Sequence, residues 1–518
     1  MMRPLPCAGF FDPAYYQSQL SAPVPDALAH FRAEGDRLGL DPSPYFSTRF
    51  YKQQHPDWAT RGKPTALDDY LAQDVGPVWL RPHPMIDPDF YLQRYPDVAA
   101  SGMSPGGHFA RHGDAEGRSP SGEFDAVFYR RCYLRLEETG AFAHFMGGGK
   151  AAGHLPKPAP RSAVQSAKAM ADTALALNNP ILLAAHDAQE AGVPLLLLDL
   201  ARDLAKRGFS PIFVLQDGGP LVTPLRRIGT VFVLAEGWHA AGLCSGVPAG
   251  VPVIVSSAVA APMAEASARA GLRTLLLVHE MRGYLEAQGL IPALVDAQRA
   301  GARLIASFPR MAEALEQDLG PLPVVRPGVV LPVTPLDEFR LRRRSRLGRH
   351  MFIGAGHADR RKGFDLFLAA AHEIATQLPQ ARFVWLGALD PWARQLAGQA
   401  QASGLPLTLP GFVAQPLGWY GAASVYLLTS REDAGPTTLI HAAATGTPFV
   451  GYAADIGLQG IADPLGRFVA SGDQPGFVAA ALDFARSDTP RARHNRRALL
   501  RPHLGLARYC DELLSALA

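Results

Sequence analysis

Cysteine and net charge are both scarce in this sequence. The 518 residues include four cysteines, Cys7, Cys132, Cys244 and Cys510, which lie far apart and form no metal-binding spacing. This spacing argues against a disulfide framework or a zinc module and predicts reduced thiols in a cytoplasmic protein. The formal net charge of +3 is too small to indicate a nucleic-acid partner.

Long apolar runs are also absent. No run reaches the roughly 18–20 residues that a bilayer-spanning helix needs. The first residues lack the apolar core of a signal peptide. We therefore expect a cytoplasmic protein. Peripheral contact of this protein with the inner face of the plasma membrane is an alternative.

Glycine, proline and apolar residues, by contrast, are plentiful. The chain has 50 Gly and 45 Pro, and 48% of its residues are hydrophobic. This composition predicts large cores connected by many turns, and the length predicts about three domains.

The first part of the chain repeats an aromatic pattern. A motif that begins as Phe-Asp-Pro-Ala-Tyr-Tyr recurs at 11–16, 45–51, 86–91 and 124–129. A second landmark, His-Phe in three cases and Tyr-Leu in one, follows at 30–31, 70–71, 108–109 and 144–145. A period of roughly 35–40 residues is typical of helical units that bury their apolar faces against their neighbours. We predict a helical repeat domain of about four units at 1–155.

Two α/β domains are predicted after a Gly/Pro-rich linker at 156–175. Apolar runs that alternate with helical patterns predict strands at 181–185, 211–215, 230–234, 251–256, 274–278 and 303–307, and again at 351–355, 382–386, 407–409, 425–428 and 449–452. Strands separated by helices predict parallel, doubly wound sheets. The predicted domains span 176–335 and 336–490, and a helical segment at 491–518 packs back on the first. The basic stretch 340–349 fits a solvated amphipathic helix better than a nucleic-acid or lipid site.

The stretch 430–450 carries the most specific signal. It follows the predicted strand 425–428, opens with Glu432 and Asp433, turns through Gly435-Pro436 and continues as an Ala-rich helix. Such a corner can hold a phosphate on backbone N–H groups while the acids address sugar hydroxyls. The alternative role of the acids is to cap the helix.

This stretch resembles the donor-binding signature of the retaining GT-B glycosyltransferases of group 1 (family 4-like). The resemblance implies two facing Rossmann-like domains and a nucleotide-diphosphate sugar as the donor. The N-terminal motifs are similar to Phe-Asp-x-x-Tyr-Tyr repeats attached to some bacterial polysaccharide glycosyltransferases.

The resemblance also implies which residues hold the donor. Lys362, in Arg361-Lys362-Gly363, would contact the diphosphate, although it also fits a solvated loop. Gly356-His357 stands where the family often has an Arg. Gly435, Thr437 and Thr438, with Pro436 shaping the turn, would present backbone N–H groups to the phosphates. His441 stands where the family usually has the Glu that holds the ribose; the alternative is an ordinary buried histidine.

Residues of the first α/β domain complete the predicted site. The loop with His186, Glu190 and Gly192 resembles the family's glycine loop beside the acceptor and the diphosphate, although a lone Gly turn also fits an ordinary connection. His279 ends the strand 274–278, where a His approaches the reacting sugar in related enzymes; capping of the strand is the alternative. We expect His279, Glu432 and Asp433 to act on the reacting sugar.

The resemblance implies a retaining glycosyltransferase, with a glycan, lipid-linked molecule or protein as acceptor, in bacterial surface polysaccharide biosynthesis. The resemblance implies that the leaving phosphate helps to deprotonate the acceptor. No Asp-x-Asp motif follows a suitable strand, so we expect no metal. The alternative is a non-catalytic glycan-binding or scaffold protein on the same fold. In either case the repeats could dock a protein partner or the acceptor.

Overall fold

The computed structural model describes residues 9–76, 78–135, 138–328, 330, 350–433, 435, 437–458 and 462–517. Pro436 and the basic stretch 340–349 lie outside these residues. The chain forms two compact units, one of Met1–Pro160 with Ala235–Gly237 and one of Arg161–Leu234 with Trp238–Ala518. Among the described residues, no helix is both long and apolar enough to cross a membrane.

The first unit is helical, which confirms the predicted helical region. Its α-helices are Pro13–Ser18, Ala27–His30, Asp36–Leu38, Thr48–Gln54, Ala66–Gln73, Pro88–Arg94, Pro96–Ser101, Pro105–His108, Ala126–Tyr133 and Ala141–His144. A 3-10 turn spans Trp58–Arg61, and π-helical turns span Phe31–Gly35, Phe109–Gly113 and Phe145–Gly149.

A tyrosine, a histidine and a glycine meet in the same way at each π-helical turn. The tyrosine hydroxyl hydrogen-bonds the Nδ1 atom of the histidine, at 2.7 Å for Tyr16–His30, 3.0 Å for Tyr91–His108 and 2.8 Å for Tyr129–His144. The glycine ends the turn, and a Cβ there would lie about 2 Å from the tyrosine oxygen, at Gly35, Gly113 and Gly149. Only glycine at the end of the turn leaves room for the tyrosine hydroxyl.

The segment 45–74 departs from this arrangement. Tyr51 donates a hydrogen bond to Asp69 Oδ2 at 2.9 Å, so an acid takes the place of the histidine. Tyr70 packs on Phe46 and Tyr51 as an aromatic neighbour. The landmark at 70–71 is thus offset by one residue from the His-Phe pairs, because Asp69 corresponds to the histidine.

Successive segments are joined by one recurring backbone hydrogen bond. The N–H before each first helix donates to a proline carbonyl about one period later, in Asp12–Pro42, Ser47–Pro82, Asp87–Pro120 and Asp125–Pro156, at 2.9–3.0 Å. The prediction that the linker includes Pro156 needs correction, because Pro156 completes this series.

The predicted linker is also wrong over Ala163–Leu175, which forms a helix of the second unit. Ser162 and Gln165 form a capping box, and Ser166, Met170 and Ala174 bury one face at helical spacing. The helix approaches Ala240–Ser245 closely, because a Cβ on Gly242 would lie 2.4 Å from the Ala163 carbonyl oxygen. Because a Gly- and Pro-rich segment directly precedes this helix, its sequence resembles the continuation of a linker.

We predict that Gly149→Ala destabilises its π-helical turn by about 1–3 kcal/mol, the usual cost of overpacking. The new methyl group would meet the Tyr129 hydroxyl, whereas Gly147→Ala is the matched control because nothing lies within 4 Å of that position. Hydrogen exchange of the amides in 126–154 measures the effect. Tyr129→Phe should partly rescue Gly149→Ala, and equal exchange in the two alanine variants would refute the steric account.

The second unit begins with a parallel six-stranded sheet in the order β3-β2-β1-β4-β5-β6. Its strands are β1 (Pro180–Ala185), β2 (Ser210–Leu215), β3 (Thr230–Val233), β4 (Val253–Ser256), β5 (Thr274–Val278) and β6 (Arg303–Ala306). The connecting helices are Gly192–Lys206, Val222–Arg226, Ala240–Ser245, Ala261–Arg269, Arg282–Ala287, Ile291–Arg299 and Pro309–Leu319. This is the strand order of a dinucleotide-type α/β fold.

A second parallel six-stranded sheet follows, in the order β14-β12-β10-β7-β8-β9. The strands are β7 (Met351–Ala355), β8 (Arg382–Leu386), β9 (Leu407–Gly411), β10 (Val425–Leu428), β11 (Glu432–Asp433), β12 (Phe449–Tyr452), β13 (Asp455–Ile456) and β14 (Gly466–Val469). Strands β11 and β13 pair separately. The helices are Phe364–Gln377, Pro391–Ala402, Leu417–Ala422, Thr437–Thr445, Gln474–Ser487, Pro490–Leu504 and Leu506–Leu517.

The two predicted Rossmann-like domains are confirmed. The predicted helical segment 491–518 is broken at Gly505, and its last helix contacts the first α/β domain. There, Arg207 hydrogen-bonds Asp511 at 2.5 Å and the Ala507 carbonyl at 2.9 Å. Burial of Cys510, together with Asp203 nearby, raises the pKa of its thiol, which keeps this cysteine protonated.

Candidate functional site

A lysine and an aspartate form an ion pair where strands β7 and β10 end. The Lys362 ammonium contacts Asp433 Oδ2, and the two side chains are only 12% and 9% exposed. Ser430 Oγ also donates to Asp433 Oδ2, at 3.3 Å. The structure therefore brings together two predicted site residues, and it places a positive charge at the strand ends, where ligands bind in folds of this type.

The loop that carries Lys362 is fastened to the loop that carries Asp433. Asp359 Oδ1 accepts from the Lys362 backbone N–H at 2.6 Å. Arg431 makes a two-pronged ion pair with Asp365, at 2.9 and 2.8 Å, and Arg361 Nη1 donates to the Glu432 carbonyl at 3.1 Å. Because paired arginine–carboxylate contacts fix geometry as well as charge, the position of Lys362 is well defined.

Two glycines let these loops approach. Gly363 has φ +67°, and a Cβ there would lie 2.0 Å from the Thr429 carbonyl oxygen. Gly356 has φ +125° and lies against the Lys362 side chain, while its carbonyl accepts from Trp385 Nε1 at 2.9 Å. The predicted site residue His357 is instead exposed, so it joins none of the contacts that hold Lys362.

Glycines also mark where the two α/β domains meet within the second unit. A Cβ on Gly192 would lie 3.7 Å from Thr437 Oγ1, and one on Gly283 would lie 2.9 Å from Glu432 Oε2. A Cβ on Gly435 would overlap the Phe308 ring. The predicted acceptor loop and the 430–450 stretch therefore contact each other, and the Glu432 carboxylate lies against Gly283 of the first α/β domain.

His441 lies on the helix Thr437–Thr445, with its ring 5.7 Å from the ring of Tyr420. Burial lowers the pKa of His441 to about 4, so the imidazole is neutral at physiological pH. Thr438, on the same helix, hydrogen-bonds the Tyr426 hydroxyl at 2.7 Å. The position that carries a Glu in the resembled family thus holds an uncharged group that can donate or accept.

Acid should destabilise the protein through His441. Its pKa is about 4 in the folded chain against the ordinary 6.5, so the unfolded chain binds the proton first as pH falls. The neutral His441 side chain makes its full contribution to the free energy of unfolding above pH 6.5. This contribution, of the order of 3 kcal/mol, is lost as the pH falls towards 4. We expect His441→Gln to flatten the pH dependence of the urea midpoint over this window. Parallel curves would contradict the assigned pKa.

His279, at the end of β5, is held by a specific hydrogen-bond chain. Ser307 Oγ donates to the Val278 carbonyl at 3.0 Å, so its oxygen accepts from His279 Nδ1 at 2.7 Å. This fixes the proton on Nδ1 and leaves Nε2 as an acceptor. Nε2 is buried without a hydrogen-bond partner among the described residues, and burial lowers the pKa of this histidine.

The neighbouring Glu280 is a structural anchor. Its carboxylate accepts from Ser257 Oγ at 2.5 Å, from the Ala258 N–H at 3.1 Å and from the His279 N–H at 2.9 Å. Ser257 has φ +86°, a backbone conformation that is strained for a residue with a side chain. Glu280 therefore stabilises this turn and positions His279; nothing in the sequence signals the roles of Ser257 and Ser307.

His186 reaches the same region from the end of β1. Its Nε2 atom lies 3.5 Å from Asp187 Oδ2, and its Nδ1 atom is buried without a partner in the described chain. Positive charge on His186 would lower the pKa of His279 further. Glu190 follows in the same loop and is half-buried. The two predicted histidines are thus brought together.

Comparison with known proteins identifies the fold. Residues 349–487 match the family model Glycosyl transferases group 1, a segment that contains every predicted donor-side residue. A comparison with curated protein sequences gives no match.

Three solved structures share the architecture. HepE from Anabaena in complex with UDP has a TM-score of 0.55 at 18% identity, covering 65% of this chain and 99% of that one. The complex of HepE with UDP-glucose has a TM-score of 0.54 at 19% identity, covering 65% of this chain and 100% of that one. WaaG, a glycosyltransferase involved in lipopolysaccharide biosynthesis, has a TM-score of 0.52 at 15% identity, covering 65% of this chain and 100% of that one. The second unit therefore has the GT-B fold.

Proposed function

We propose that this protein is a glycosyltransferase that moves a sugar from a nucleotide-diphosphate sugar to an acceptor hydroxyl. The buried Lys362–Asp433 ion pair at the strand ends of the second sheet supports this proposal most strongly. It lies inside the segment that matches the group 1 family model.

Lys362 would bind the donor diphosphate. Its ammonium is paired with Asp433, and a diphosphate brings more negative charge than one carboxylate. Phosphate oxygens would also reach the N–H groups that open the helix Thr437–Thr445, where the helix dipole favours anions. These groups supply positive potential without a metal ion, and we propose a metal-independent reaction.

The acids and His441 would hold the sugar and the ribose. Asp433 and Glu432 can accept hydrogen bonds from sugar hydroxyls once Lys362 turns to the phosphates. The neutral His441 ring can accept from one ribose hydroxyl. UDP-glucose is the first donor to test, because HepE binds UDP and UDP-glucose.

We propose a reaction that retains the anomeric configuration of the donor sugar. The departing diphosphate takes the proton of the acceptor hydroxyl, which approaches the same face of the donor sugar. The new glycosidic bond then forms on that same face. The protein contributes orientation and charge stabilisation. By analogy with WaaG, the product belongs to a surface polysaccharide.

The stereochemistry can be tested directly. With UDP-α-glucose and a working acceptor, proton NMR should show an α-linked product at the first time points. A β-linked product would overturn the retaining mechanism, and the absence of UDP release with every donor and acceptor would overturn the transferase proposal.

We also propose that the helical unit Met1–Pro160 docks a protein partner. Its recurring hydrogen bonds join neighbouring segments, as in solenoids that present extended surfaces. Removing residues 1–155 should leave donor hydrolysis intact and abolish assembly in cells. Unchanged localisation, assembly and activity of the variant without residues 1–155 would contradict this proposal.

A further inference from the structure

A phenylalanine of the first α/β domain reaches a glycine of the proposed donor site. A Cβ on Gly435 would overlap the edge of the Phe308 ring, at its Cε2, Cζ and Cδ2 atoms. The backbone of Gly435 is not in the left-handed region, where glycine is favoured for its conformation. Glycine is therefore needed at this position because of the space that the ring takes.

The backbone of Phe308 is held on both sides. Its carbonyl accepts from the N–H groups of Met311 and Ala312, at 3.1 and 3.2 Å, where the next helix begins. Ser307, directly before it, donates its N–H to the last carbonyl of β5 at 3.2 Å. The side chain is only 2% exposed, and a buried ring in a close-packed core has little room to move. A methyl group added at Gly435 would thus displace the glycine more readily than the ring.

Gly435 lies between the two parts of the proposed donor site. Two residues before it, Asp433 forms the ion pair with Lys362, and the Asp433 carbonyl accepts from the Gly457 N–H at 2.9 Å. Two residues after it, Thr437 opens the helix whose N–H groups would meet the phosphates. A displaced Gly435 would therefore disturb the ion pair, the start of the helix, or both.

We propose that Phe308 is a positioning residue for the donor: its ring packs on Gly435 and holds the Lys362–Asp433 pair and the start of the helix Thr437–Thr445 in the arrangement that binds the diphosphate. This inference rests on the proposed function. It gives the first α/β domain a part in donor binding, although every predicted donor-side residue belongs to the second. Groups that are already in place bind a ligand without the cost of ordering them.

The first test needs no donor. Hydrogen exchange is measured in the full chain for the amides of 441–445, which are bonded within their helix. Gly435→Ala should speed this exchange by about tenfold or more, because the added methyl group disturbs the start of the helix. Gly398→Ala is the matched control, since nothing lies within 4 Å of that position, and it should leave exchange in 441–445 unchanged.

The second test measures donor binding. Gly435→Ala should raise the Kd for UDP, and the KM for hydrolysis of UDP-glucose, by about tenfold or more, with a smaller change in kcat. Leucine lacks Cε2 and Cζ, the ring atoms nearest the added methyl group. Phe308→Leu/Gly435→Ala should therefore bind UDP within about threefold of Phe308→Leu alone, the mark of two residues that act through one contact.

A second control removes a ring elsewhere in the same domain. Phe232 is buried in β3, at the opposite edge of the sheet from β6. Phe232→Leu should lower the melting temperature and leave the Kd for UDP unchanged. This result would separate the effect of Phe308 on the donor from a general loss of stability.

Two outcomes overturn the inference: exchange in 441–445 that is the same in Gly435→Ala and the wild-type protein, or a double variant that binds UDP no better than Gly435→Ala. Failure of the proposed function looks different. No nucleotide or nucleotide sugar would then bind the wild-type protein, while exchange in 441–445 would still rise in Gly435→Ala and fall again in the double variant.

Discussion

Lys362→Ala should raise the Kd for UDP by about 30–100-fold, the value expected for losing a charge-assisted hydrogen bond to phosphate. Lys362 is the cation that reaches Asp433 in the described site, and its loop is held by Asp359 and Arg431. Isothermal titration calorimetry measures the change. Release of UDP from the preferred donor should fall in parallel.

Controls separate charge from folding in this experiment. Lys168→Ala removes an exposed lysine that pairs with Asp172 on a helix, and it should leave UDP binding unchanged. Because Lys362→Ala leaves the buried Asp433 carboxylate without its ion-pair partner, the melting temperature of this variant will fall. Lys362→Ala/Asp433→Ala should recover stability without recovering UDP binding. Unchanged UDP affinity in a folded Lys362→Ala protein would contradict the assigned donor site.

His441→Glu should weaken donor binding more than tenfold and destabilise the protein by about 2–3 kcal/mol, although it restores the residue common in the resembled family. The burial that lowers the pKa of His441 to about 4 also disfavours an ionised carboxylate. The ring of Tyr420 on one side provides no charge to offset it. Thermal unfolding and calorimetry with UDP measure both effects.

The neutral variant His441→Gln is the matched comparison. Its amide can accept a ribose hydrogen bond without a charge, so its UDP affinity should stay within a few-fold of that of the wild-type protein. Tighter binding by His441→Glu would contradict this account. It would mean that the site has lost a functional group, and it would favour the non-catalytic scaffold.

The sheets could be predicted because most of their strands are short apolar runs between turn residues. All eleven predicted strands are present. Strand β14 was missed because Gly466–Val469 lies at the sheet edge and is only half-buried. The pair β11 and β13 has two residues in each strand, too few for any periodicity. The helix Ala163–Leu175 was missed because Gly and Pro precede it.

Residue types at the site could be predicted, but their partners could not. Lys362 and Asp433 were each predicted as ligand contacts, and their pairing across 71 residues depends on how two loops meet. The tautomer of His279 depends on Ser307, 28 residues away. Tertiary packing, and not local sequence, decides such details.

A donor panel tests whether the Lys362 site binds and turns over a nucleotide sugar. Wild-type protein and Lys362→Ala are mixed with UDP-, GDP-, dTDP- and CMP-sugars, and bound nucleotide is followed by thermal shift and released nucleotide by a coupled assay. We expect that one uridine donor binds and is slowly hydrolysed, and that Lys362→Ala loses both responses. No response to any donor, or an equal response from both proteins, would contradict it.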